Sequence, residues 1–215
     1  STNTDGITCK VLKKREEDYY KVCKEWSINN NFELEYKKYK IYARRDVNNY
    51  IALQEDNIIK EKGDFITSNL TKTNNVKLKG VDKKIIAIAL KEFFINNIPI
   101  RNTILNHRNI YDFCIAQKID DKFINEYHYI KDNTLIKEIL QKTIRYYISK
   151  NGGTLYKVDK KINKYIAYCV GRKETIFNTY IKYDDFNNYN IDYGYYISET
   201  QKIIDLIINP QLSLF

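Results

Sequence analysis

Apolar positions change period several times along the chain, and each change predicts an element. Ile7, Cys9 and Val11 alternate with polar residues after the turn dipeptide Asp5-Gly6, which predicts a hairpin strand. Only four residues precede that turn, so the reading places the partner strand upstream of Ser1. Tyr19, Tyr20, Cys23 and Trp26 then recur at helical spacing behind the acids Glu16, Glu17 and Asp18, predicting a helix over Glu16–Ser27. Phe32–Leu53 reads as extended, Gln54–Asn57 as a turn, and Ile58–Lys62 as a short strand. Ile85–Asn96 predicts an apolar helix that stops before Pro99, and Ile100–Leu105 a second one.

Beyond these the segment to Tyr129 has no decisive period. Leu135, Ile136, Ile139, Leu140, Ile144, Tyr147 and Ile148 fit an amphipathic helix ended by Asn151-Gly152-Gly153. Strands follow at Thr154–Val158, Tyr165–Val170 and Thr175–Tyr183, and a last helix at Tyr195–Asn209 before Pro210. No internal repeat is visible. The expected class is α+β: a small β-rich N-terminal part with a helix, then a mostly helical, basic part, with a boundary in the polar Ser68–Gly80 loop.

Composition sharpens this picture at a few points. The longest apolar runs, such as Ile85–Leu90, fall far short of the ~18 residues a membrane span needs, and no signal or lipidation motif is present, so a cytoplasmic protein without a membrane partner is expected. Cys9, Cys23, Cys114 and Cys169 never fall into CxxC spacing, which predicts reduced, buried thiols rather than a zinc site. There is no Met, so the chain as it stands does not begin at its own start codon; it reads as processed, excised or cropped. Its 20 tyrosines accompany many Ile, Asn and Lys, a bias that AT-rich coding produces by itself.

The net charge of +9 is clustered. Lys37, Lys38, Lys40, Arg44 and Arg45 form one stretch without an acid. A second, Gln141–Lys173, holds Lys142, Arg145, Lys150, Lys157, Lys160, Lys161, Lys164, Arg172 and Lys173 against Asp159 alone, while the tail from Glu174 is acidic. Two basic stretches interleaved with Tyr and Ile point to a polyanionic backbone. Neither His107 nor His128 has a nucleophile context, which sets a hydrolase triad aside. Gly152-Gly153 follows the expected helix, where a C-terminal stop accounts for it better than a phosphate-cradling loop.

Asn3-Thr4-Asp5-Gly6-Ile7 resembles the palm hairpin motif of family B DNA polymerases, Y-x-D-T-D. The segments that follow keep the family's order. Tyr36–Leu53 is similar to the K-K-x-Y region, with Tyr50 at the tyrosine. Lys60-Glu61-Lys62-Gly63 resembles the K-x-K-G stretch that ends the palm. Ala89–Phe94 with Ile98-Pro99 resembles the first thumb helix of phage members, and Lys142–Tyr147, the glycine pair and Asp192–Ile197 the later thumb landmarks. Ser1 and Asn3 depart from the motif's Tyr and first Asp, and Val47 and Asn48 replace the two lysines, which shifts the basic contact to Arg44 and Arg45.

The resemblance implies a C-terminal polymerase fragment: palm over residues 1–67, thumb over 68–210 and a tail at 211–215. Asp5 would be the catalytic aspartate and a Mg2+ ligand, completed by an aspartate in an upstream half of the enzyme. The substrates would be dNTPs and a primer–template DNA duplex held by Lys37, Lys38, Lys40, Arg44, Arg45, Asn48, Asn49, Tyr50, Lys62, Arg145, Lys150 and Arg172. The fragment alone is expected to be inactive, and a phage origin would place it in a bacterial host's cytoplasm. Ser1 also suits the residue that follows an intein, which commonly interrupts this motif. Gln211-Leu212-Ser213-Leu214-Phe215 resembles the sliding-clamp peptide Q-L-x-L-F, with Gln211, Leu212, Leu214 and Phe215 as the contacts. The competing expectation is a non-catalytic basic DNA- or RNA-binding module.

Overall fold

A computed structural model describes residues 2–3, 6–67 and 82–209. Asp5, the Ser68–Gly80 boundary and the Gln211–Phe215 tail lie outside the described residues, as do the side chains of Thr2 and Asn3.

Strands β1 (Thr2–Asn3) and β2 (Gly6–Ile7) pair antiparallel, Thr2 opposite Ile7 and Asn3 opposite Gly6. The expected strand is thus shorter than Ile7–Val11, and its partner lies within the chain rather than upstream of it. Helix α1 (Glu16–Asn30) starts with three acids, which suit the positive end of the helix dipole. It stops where Asn31 turns left-handed at φ 52° and the Phe32 amide reaches back to the Ser27 carbonyl. Phe32–Leu53 is not one extended run. It holds a loop and then β3 (Tyr39–Asp46), which turns at Val47-Asn48 into β4 (Asn49–Gln54), followed by β5 (Ile59–Lys62) in a three-stranded antiparallel sheet.

Helices α2 (Lys84–Asn96) and α3 (Ile100–Asn106) follow the apolar periodicity closely. The second half then departs from a mostly helical domain. Beside these helices and α4 (Tyr193–Ile208) it carries seven strands. They are β6 (Ile115–Lys118), β7 (Phe123–Lys131), β8 (Thr134–Leu140), β9 (Thr143–Ser149), β10 (Thr154–Asp159), β11 (Lys164–Ala167) and β12 (Lys173–Ile176). They form two antiparallel sheets, ordered β11-β10-β7-β8 and β12-β9-β6. The expected helix over Leu135–Ser149 is in fact β8 and β9. Asp132 and Asn133 both adopt positive φ, 50° and 59°, which is the conformation of a two-residue hairpin turn, and they fold β8 back along β7 from Lys131–Thr134 to Asn125–Leu140. The α+β class stands.

Asparagine supplies most of the tight turns. Asn31, Asn57, Asn97, Asn133, Asn163 and Asn190 all sit at positive φ, a conformation that its short polar side chain tolerates better than most, so a glycine-poor chain still turns sharply.

One core runs through the molecule. Ala43 and Ile51 bring the inner face of β3 and β4 onto Phe65 and helix α2, whose Ile85, Ile86, Ala89 and Leu90 are buried. The core continues through Ile104, Phe113 and Ile204 to Ile144, Tyr146 and Ile148 of β9. Tyr196 of α4 ties it together: its buried hydroxyl donates to the Phe113 carbonyl at 2.8 Å and accepts from the Ile148 amide at 2.9 Å. Gly152 and Gly153 do not end a helix. They pass through the crowded β9–β10 connection, where a Cβ on Gly152 would fall 1.9 Å from the Glu174 carbonyl oxygen.

Candidate nucleic-acid interface

Period-two alternation gives the β3–β5 sheet two unlike faces. Register places Ala43, Ile51 and Glu61 opposite one another on the inner face. The outer face carries two rows, Arg44–Tyr50–Lys62 and Tyr42–Ala52–Lys60. Tyr39 joins them through ring contacts, at 5.2 Å to Tyr42, and Tyr42 lies 5.5 Å from Tyr50. Ala52, in the middle of this face, is fully buried, and the flanking Tyr42, Arg44, Tyr50 and Lys60 are half-buried. Neither row contains an acid. Glu61, on the inner face, is engaged from behind by Lys91 at 2.9 Å and by Thr67.

Arg44 and Lys60 form no ion pair among the described residues, and Lys62 donates only to the Val47 carbonyl at 3.4 Å. Arg44 and Lys62 are separated by two strand spacings, about 10 Å. Three cations spread over an aromatic floor at such intervals can follow a phosphate backbone without reading bases.

The remaining residues expected to bind DNA divide by what already holds them. Lys37 pairs with Glu35 at 2.8 Å, and Lys38 pairs with Glu16 while lying over the Tyr20 ring. Those contacts hold the Glu16 and Glu35 carboxyls below their usual range. Lys40 donates to Asn57 at 2.7 Å. Arg45 falls at the β-bulge between Arg44 and Asp46 and reaches Asp46 and Asp64. Asn48 and Asn49 are spent on the turn: the Asn48 amide and the Asn49 side-chain amide both donate to Asp46, and Asn49 Oδ1 accepts from the Asp64 amide at 3.0 Å. They shape the turn that joins β3 to β4.

The second basic stretch does not form one helix face, because β9–β12 distribute it. Arg145 lies at one end of the β9–β12 pair with its guanidinium over Tyr111. Lys150 and Arg172 lie just beyond the Ser149–Lys173 pair at the other end, where Arg172 pairs with Asp192 at 3.0 Å. Lys142 pairs with Asp121, Lys160 donates to the Asp121 carbonyl, and Lys157 covers Phe123 at 3.9 Å. Sequence reasoning named Arg44, Tyr50 and Lys62 but missed Tyr39, Tyr42 and Lys60. The alternation Lys40–Tyr42–Arg44 carried the signal.

Several other expectations resolve here. Only Cys114 of the four cysteines is buried; Cys9 is exposed and Cys23 and Cys169 half-buried, all as free thiols. His107 bonds Asp112 at 2.7 Å and His128 bonds Glu126 at 2.9 Å, both as structural pairs. Among the described residues no group of three or more His, Cys, Asp or Glu side chains is placed to hold a metal, and no helix is long and apolar enough to cross a membrane. No protein-family model, curated protein or solved structure matches the chain.

Proposed function

We propose that the chain is the C-terminal palm-and-thumb portion of a family B DNA-directed DNA polymerase, in which the outer face of β3–β5 grips the primer–template duplex. The observation that carries this reading is the acid-free row Arg44–Tyr50–Lys62 on the face turned away from the core, inside the segment that resembles the family's duplex-contacting region. Arg44 and Lys62 neutralise phosphates, Tyr50 sets their spacing, and the turn built on Asp46 and Asn49 holds β3 and β4 in register. Such contacts position the duplex and are indifferent to its sequence.

Helix α1 supports the need for an upstream half. Its Val22, Trp26 and Ile28 are exposed, and none of its residues is buried. An additional polypeptide packed around this helix would complete the palm. In that assembly Asp5 and an upstream aspartate would be the Mg2+ ligands. Bound there, the metal would supply the charge stabilisation that nucleotidyl transfer from a dNTP requires. The tail Gln211–Phe215 would bind a sliding clamp.

The test joins this chain to its upstream half and replaces Asp5 by Ala. A polymerase loses nucleotide incorporation while keeping duplex affinity. An Asp5→Ala assembly that keeps full incorporation, or a joined wild-type enzyme with none, overturns the reading and leaves a basic binding module. Deleting Gln211–Phe215 should abolish clamp binding and spare distributive synthesis.

A further inference from the structure

A different surface combines stacked rings with unpaired positive charge. Tyr111, in the 3₁₀ turn Ile110–Phe113, and Tyr180, beyond β12, hold their rings nearly parallel, 12° apart with centroids at 5.8 Å. The Arg145 guanidinium continues the series over Tyr111 at 5.2 Å. Both tyrosines stand edge-on to buried Phe177, at 5.6 and 6.1 Å, so their orientation is set from below. They nevertheless remain 41% and 54% exposed. That is unlike the neighbouring Tyr147 and Tyr189, which are buried with hydroxyls bonded to backbone carbonyls.

The ladder borders a cleft of about 280 Å³ that Arg108, Lys182 and Tyr183 also line. Arg145 and Lys182 have no ion pair among the described residues. The acids nearby are largely committed elsewhere. Asp112 is buried and held by His107 and Asn109, and Asp185 caps the following 3₁₀ turn through the Asn187 amide. Asp184 remains exposed beside Tyr183. The local balance is therefore aromatic and cationic.

Rings in series with a guanidinium and free cations at the rim are what unpaired bases and their phosphates require: the π faces stack bases and the cations follow the backbone. A duplex offers only base edges and phosphates, so it has no use for the rings. We propose that the Arg145–Tyr111–Tyr180 ladder is a binding site for single-stranded nucleic acid. Its surface is separate from the β3–β5 face, and it does not depend on the polymerase reading. Arg145, expected from sequence to contact duplex, belongs to this site.

Fluorescence anisotropy with labelled oligo(dT), and with a duplex of equal length, tests the proposal on the full chain. Replacing Tyr111 or Tyr180 by Leu keeps the apolar bulk and removes the π face. Tyr180→Leu should weaken oligo(dT) binding by about 5- to 150-fold, the range expected when one base stack is removed, and Tyr111→Leu, which removes the ring stacked beneath Tyr180, should weaken it too. Duplex affinity should stay within about twofold, and Phe at either position should restore binding. Should Tyr111→Leu fail to fold, the more exposed Tyr180→Leu and Tyr180→Phe carry the test, with thermal melts confirming the native state. Unchanged oligo(dT) affinity, or a parallel loss for both ligands, overturns the proposal, as does selective binding of a proline-rich peptide instead. Binding of oligo(U) as well as oligo(dT) supports it and identifies RNA as a ligand. A chain that binds oligo(dT) through the ladder but no duplex would sink the polymerase reading and leave this one standing.

Discussion

Arg44 and Tyr50 stand directly opposite each other on β3 and β4, and Lys62 extends the pair onto β5. Arg45, next in sequence, is held at the bulge by Asp46 and Asp64. Adjacent arginines in one basic stretch therefore have different fates. Arg44→Ala and Lys62→Ala should each weaken duplex binding and lower the salt slope by about 0.9 for each phosphate no longer neutralised. Arg45→Ala should leave that slope nearly unchanged. Titration of a labelled duplex at several salt concentrations measures both, and equal slopes for all three variants would remove the outer face from the interface.

Tyr196→Phe removes one hydroxyl and leaves two buried backbone groups without partners, the Phe113 carbonyl and the Ile148 amide. At about 1–3 kcal/mol for each unsatisfied group, the loss of stability should be about 2–6 kcal/mol. Denaturant unfolding should show a lower midpoint at an unchanged slope. A midpoint within error of wild type would mean that α4 is not anchored through this hydroxyl.

Gly63 has φ +62°, and a Cβ there would lie 2.1 Å from Asn49 Oδ1 and 2.4 Å from the Asn48 carbonyl oxygen. Gly63→Ala should therefore cost more than about 1 kcal/mol and loosen the turn that aligns Arg44 with Lys62. Duplex affinity should fall with it, although no cation has been removed. A stable variant with full affinity would separate the turn from the interface.

Glu174 is buried, with Oε2 accepting from the Leu155 amide at 3.2 Å and Oε1 unbonded. Burial pushes its carboxyl up from 4.5 to about 7. The groups around it are the neighbouring Cys169, Tyr146 and Lys173 and the Tyr127 hydroxyl, which donates to the Glu174 carbonyl. Between those two values the folded state binds more protons than the unfolded chain, so stability falls as pH rises from 4.5 through 7. Glu174→Gln should flatten that decline. Melting temperatures measured from about pH 4 to about pH 8, a range that brackets the shift, report it. Identical profiles for the two proteins would refute the assignment.

How far the sequence discloses the molecule depends on which period wins locally. Helix α2 is legible because its apolar stripe is long and ends at Asn97, and Pro99 marks where α3 begins. Segment 135–149 misleads because Leu135, Ile136, Ile139 and Leu140 suit a helical stripe, yet β8 is a sheet-edge strand that leaves Leu135 and Ile139 exposed. The deciding signal is the Asp132-Asn133 turn, weaker in sequence than Asn-Gly because neither residue is glycine. Arg44, Tyr50 and Lys62 were accessible from the motif resemblance, but their shared row needs the register, and the Tyr111–Tyr180 ladder joins residues too far apart in sequence for any local pattern to reveal.

Helix α1 leaves Val22, Trp26 and Ile28 exposed, although the Phe32 ring stacks on Trp26. A purified sample of this polypeptide by itself should consequently scatter light increasingly as it is concentrated, and a mild non-ionic detergent should reverse the effect.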